Sequence, residues 1–231
     1  MPYRFSFTPE IVRALQSIER ARAEVTLTIL PPGVAKGLRL RARIKSTHFS
    51  TRIEGNRLPL AEAEQVVIEG KQFPGRERDT LEVQDYFQAL AQVEEWVEQE
   101  LPVTEERIRK LHALIYAGKR ARPISYRDGQ NVIRDGAGGI VYLSPEAKDV
   151  PLLMSDLIAW IRKAETDQPI PVIAGMAHYQ FVTTHPTLTE MEERRAPWPP
   201  GFCTGVAMIW AGFTAWKSFT RRSCRVTIMP W

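Results

Sequence analysis

The first 186 residues of this 231-residue chain contain no cysteine, which excludes a disulfide framework and a thiolate metal site from most of the sequence. They also lack internal repeats, low-complexity linkers and any apolar run of membrane-spanning length. Charge of one sign is missing as well. Residues 187–231 carry six Lys and Arg against three acids, so the remainder holds 31−6=25 basic and 27−3=24 acidic groups, a net of +1. A near-neutral body argues against a nucleic-acid partner. Residues 1–10 hold no apolar run of signal-peptide length, and a cytoplasmic location is expected.

What is present is mostly helical pattern. Ile11, Leu15, Ile18 and Ala21 recur at three-to-four spacing, as do Val83, Phe87, Leu90 and Val93. Shorter patterns run over residues 34–49 and 60–70, the second opened by Pro59 and closed by Gly70. Thr104 suits the N-cap of a helix carrying Ile108, Leu111, Leu114 and Ile115, which Gly118 would end. Met154, Leu157, Ile158 and Ile161 mark another. A last helix is expected over residues 172–184, because Pro186 disfavours helical geometry at His185. His48, His112 and His178 are expected at the surface or at the edge of the core. Only residues 131–143 depart from this pattern. Two β-branched runs flank Asp135-Gly136 and Gly138-Gly139, which is hairpin chemistry. The fold class expected is therefore all-α with one short β-hairpin.

Three segments carry chemistry. Ser50-Thr51-Arg52-Ile53-Glu54-Gly55-Asn56 has a hydroxyl residue, three positions, then an acid followed by Gly and Asn. Tyr126-Arg127 precedes the hairpin, and Ala177 to Thr184 leads into His185-Pro186. A neutral imidazole at a helix end suits the removal of a hydroxyl proton, since its pKa lies near working pH. Taken together, in this order and spacing, the segments resemble the Fic family over residues 40–186. The resemblance implies transfer of AMP from ATP, with Mg²⁺, to a Ser, Thr or Tyr hydroxyl of a target protein. It implies His185 as the base and Ile140, Val141 and Tyr142 in a target-binding flap. Ser50, Glu54, Gly55 and Asn56 would form an inhibitory motif whose glutamate blocks productive ATP binding. The domains expected are an N-terminal helical region over 1–100, a truncated core over 101–186 and a tail over 187–231.

That tail departs from the family signature HPFxDGNGRxxR. After Pro186 the chain reads Thr187-Leu188-Thr189-Glu190-Met191-Glu192-Glu193-Arg194-Arg195-Ala196, without a glycine. Regrouping each codon's last base with the next codon's first two lets this stretch encode Ala-Asp-Gly-Asn-Gly-Arg-Thr-Ala-Arg. One glycine is forced, because Met191 ends in G and Glu192 begins GA. The same regrouping over Arg225 to Trp231 permits Gly-Tyr-Tyr-Asn-Ala-Leu. Both cysteines, Cys203 and Cys224, and four of six tryptophans also lie beyond residue 187. A single lost base after the Pro186 codon is the expected cause. Residues 196–216 are uncharged, but three prolines spoil the start, and the sixteen residues left fall short of the ~20 a bilayer needs. As encoded, little or no transferase activity is expected, because the phosphate-binding segment is absent. Two rivals remain at this level: a non-catalytic interaction module using the hairpin, and a helical DNA-binding protein.

Overall fold

The computed structural model describes residues 3–53, 55–117, 125–135 and 137–187, apart from the side chains of residues 116, 117, 133 and 134. Glu54, Gly118, Gly136 and residues 188–231 lie outside the described residues. Among the described residues, seven α-helices follow in order: α1 Pro9–Leu27, α2 Pro32–Ile53, α3 Leu60–Glu69, α4 Glu77–Glu98, α5 Glu105–Ala117, α6 Val150–Asp167 and α7 Ile170–Thr184. Between α5 and α6 the described residues include an antiparallel hairpin, β1 Val132–Arg134 and β2 Ile140–Leu143, and a 3₁₀ turn, Ala147–Asp149, that leads into α6.

The helix ends follow from their residues. Thr8 caps α1 by accepting the Ile11 N–H on its hydroxyl, 3.4 Å away. Gly70 closes α3 at φ 67°, a left-handed position where a Cβ would be strained. In the hairpin, the Asp135 carboxylate accepts the N–H groups of Ala137 and Gly139 at 3.0 and 2.7 Å. The register pairs Val132 with Leu143 and Ile133 with Tyr142, then slips at a bulge before Arg134.

The main core is built by α4, α5, α6 and α7, with Tyr86, Leu111, Met154, Leu157, Ile161, Ile173 and Phe181 buried together. A smaller cluster of Leu58, Ala63, Val66 and Val83 joins α3 to α4. His48 and His112, expected at the surface or core edge, are buried, and burial lowers the His48 pKa, with Arg52 adding to the effect. Helix α1 shows the opposite departure. Its apolar spacing is that of a core-facing helix, yet no residue of α1 is buried, and Ile29 in the turn after it is 97% exposed. Only the C-terminal half of α2, from Ile44 on, enters the core. No described helix is long and apolar enough to cross a membrane.

Helices α2 and α4 carry opposite charge. Residues 32–53 carry six Lys and Arg and no acid, whereas residues 77–98 carry seven acids and one base. The two helices pack on one another, with Arg43 stacked on the Phe87 ring at 4.4 Å and paired with Glu94 at 2.6 Å. Helix α4 also bears Asp85, a half-buried carboxyl whose pKa burial pushes up to about 6.

Two outcomes follow from the packing. Phe181→Ala should lose about 3–5 kcal/mol in urea denaturation, since the ring is fully buried, while Ile29→Ala should stay within about 0.5 kcal/mol of the parent. Asp85 has a raised pKa in the fold, so the folded chain binds its proton more tightly and loses stability as pH climbs from the carboxylate range towards 6. Asp85→Asn should therefore melt higher than the parent at pH 7, by about 1 kcal/mol once solvent screening is allowed for, and match it near pH 4.

Candidate functional site

Helix α7 places His185. Ile173, Ala177, Phe181 and Thr184 recur along its buried face, and the helix stops where Pro186 obstructs another turn. His185 is the C-cap, in the left-handed region at φ 48°, ψ 62°, with its N–H donated to the Phe181 carbonyl at 3.0 Å. A non-glycine residue there costs about 1–3 kcal/mol, so surrounding contacts must hold it. The residue is 7% exposed.

The contacts come from the segment that opens the hairpin. Tyr126 fastens this segment to α5 by donating its hydroxyl to Glu105 at 2.8 Å. Burial, and then this bond to a carboxylate, raise the Tyr126 pKa, so the phenol stays protonated. The next residue, Arg127, is 4% exposed. Its Nε donates to the His185 carbonyl at 2.8 Å, Nη1 to Gly129 O at 2.8 Å, and Nη2 to Pro145 O at 2.5 Å and Thr184 O at 3.4 Å. Its backbone N–H donates to Pro186 O at 3.0 Å. Gln130 closes the hairpin base by donating to Ser144 O at 2.7 Å, beside the Ser144 N–H to Asn131 O bond of 3.2 Å.

The three flap residues differ in exposure. Ile140 and Val141 are exposed, Val141 by 66%, whereas Tyr142 is half-buried and donates its hydroxyl to Thr183 O at 2.6 Å. Burial raises the Tyr142 pKa, Tyr179 adds to the rise and Arg127 opposes it. The hairpin thus presents apolar residues outward on β2 and ties itself inward to the last turn of α7.

The motif at the end of α2 is held by α4. Ser50 and Thr51 are buried, and Thr51 donates to the Thr47 and His48 carbonyls. Gly55 at φ 97° and Asn56 turn their N–H groups back to Arg52 O and Thr51 O, both at 3.1 Å, which is a Schellman end. The buried Asn56 amide donates to Asp79 O at 2.9 Å and to Glu82 at 2.8 Å, and its oxygen accepts the Leu58 N–H at 3.0 Å. Burial raises the Glu82 pKa while the Asn56 bond lowers it. Glu54 lies outside the described residues. Sequence reading named Ser50, Gly55 and Asn56 but missed the Asn56 partners Asp79 and Glu82, which sit in a helix whose acids follow no short motif.

A triphosphate needs converging N–H groups and an acid for its cation. Among the described residues no group of three His, Cys, Asp or Glu could hold a metal ion. Residues 187–196 contain no glycine from which a phosphate nest could form.

Comparison with known proteins agrees with the architecture. Residues 102–186 match the Fic/DOC family. No curated protein matches the chain by sequence. Among solved structures, a Fic domain containing signaling protein from Bacteroides thetaiotaomicron superposes with a TM-score of 0.71 at 17% identity, over 90% of this chain and 72% of that one. A Fic family protein from Desulfovibrio desulfuricans gives 0.69 at 24% identity, over 96% and 64%. A fragment of Fic-1 from C. elegans gives 0.72 at 17% identity, over 90% and 58%. Residues 102–186 are thus similar to the Fic/DOC family, and the all-α fold resembles that of solved Fic-domain proteins.

Proposed function

We propose that this chain is the scaffold of a protein adenylyltransferase whose hydroxyl-activating half is built and whose phosphate-binding half is missing from the encoded sequence. One observation carries the reading: the backbone of the buried His185 is held at the end of α7 by Arg127, in the segment that opens the hairpin whose β2 offers an exposed apolar edge at Ile140 and Val141. An extended target segment laid along β2 would bring a side-chain hydroxyl towards that imidazole. His185 would take the hydroxyl proton, and Arg127 and Tyr142 would keep its backbone in place.

The nucleotide half would come from the regrouped codons after Pro186. A lost base there accounts at once for the missing glycines, for the two late cysteines and for the clustered tryptophans. It also fits a family match that stops at residue 186. In the restored frame Gly-Asn-Gly would supply backbone N–H groups for the phosphates, the preceding Asp a ligand for Mg²⁺, and the last Arg a partner for the far phosphate. Glu54 would restrain that arginine. The well-anchored Asn56 and Schellman end just after it favour a fixed rather than a trailing position for the motif.

The exposed β2 residues favour a second reading, a non-catalytic docking module. The two separate by experiment. Restored-frame protein carrying Glu54→Gly, incubated with labelled ATP and Mg²⁺, should form protein-linked AMP and lose it by about 10²-fold or more with His185→Ala. The chain as encoded should form none. Absence of label from the restored form, with a target segment still retained through Ile140 and Val141, would replace the enzyme by the docking module.

A further inference from the structure

Every α-helix leaves its last four carbonyl oxygens without an intrahelical donor. At the end of α7 and just beyond it, four consecutive carbonyls accept from two residues, Tyr142 and Arg127. Thr183 O takes the Tyr142 hydroxyl, Thr184 O and His185 O take the Arg127 guanidinium, and Pro186 O takes the Arg127 N–H. The same guanidinium holds Gly129 O and Pro145 O, on the two sides of the hairpin base.

We propose that Arg127, assisted by Tyr142, is a positioning residue that makes the hairpin the C-terminal cap of α7 and so sets the place of His185. A planar fork with five N–H donors can serve two carbonyls of α7 and two of the hairpin base together, which the single ammonium of a lysine cannot. The bond to His185 O also holds that residue in its left-handed conformation. Hairpin and His185 therefore form one unit: a partner strand that shifts β2 shifts Tyr142 and Arg127, and with them the imidazole.

The importance of this placement rests on His185 acting as the base, but the test reads the placement itself. The full chain, labelled at its histidine ring carbons, has four signals from His48, His112, His178 and His185. In Arg127→Ala the His185 signal should move towards that of an unstructured histidine peptide, while His178, two turns earlier on α7, stays. Millimolar ethylguanidinium should restore the His185 signal. Should the alanine variant not fold, Arg127→Lys takes its place and should displace His185 in the same selective way. An unmoved His185 signal in a folded variant would overturn the proposal. So would a common shift of all four signals that ethylguanidinium leaves unchanged, since that is the mark of a general packing residue. Failure of AMP transfer in the restored protein would leave this result untouched.

Discussion

A helix that ends inside a protein presents carbonyl oxygens that must be satisfied, and at the end of α7 this requirement organises the neighbouring structure. Water is scarce there, because Thr184, His185 and Pro186 are buried. Arg127 and Tyr142 meet the need from a segment far away in sequence, and in doing so they fix the hairpin against the helix. The left-handed His185 depends on the same bonds. Removing the hairpin would leave α7 with unsatisfied carbonyls, and removing α7 would leave a buried guanidinium without the acceptors that offset its desolvation.

The N-terminal half obeys a different constraint. Helix α2 is basic throughout and α4 is acidic, and their contact begins at Arg43 and Glu94 and ends at Asn56 with Asp79 and Glu82. Arg43 and Glu94 pair across the two helices, while Ile44, Thr47 and Thr51 of α2 are buried. Helix α1 takes no part in this packing. Its surface pairs Glu10 with Arg13 and Arg20 with Glu24, so its charges are met along the helix itself.

Much of the fold was legible because its signals are local. Helix periods, the Pro59 and Gly70 boundaries and the Asp135 to Gly139 turn each depend on neighbouring residues, and the structure has them where the pattern places them. His185 was legible from the helix before it and the proline after it. Less legible was everything set by distant contacts. Apolar spacing in α1 indicates a face but not whether anything covers it. The roles of Asp79, Glu82 and the Arg127 side chain depend on partners 18 to 58 residues away, which no spacing rule links. Tyr142 illustrates the same limit, because strand alternation separates it from Val141 without indicating that its hydroxyl reaches α7.

The account joins an intact His185 scaffold to a lost nucleotide site, and the junction is a single position in the coding sequence. Sequencing the source DNA across the codons for Thr184 to Arg195 tests it most directly. The account expects one additional base after the Pro186 codon, opening a frame that reads Asp-Gly-Asn-Gly-Arg. A sequence identical to the one given would contradict it, leaving a helical scaffold with a docking hairpin and no means to hold a nucleotide.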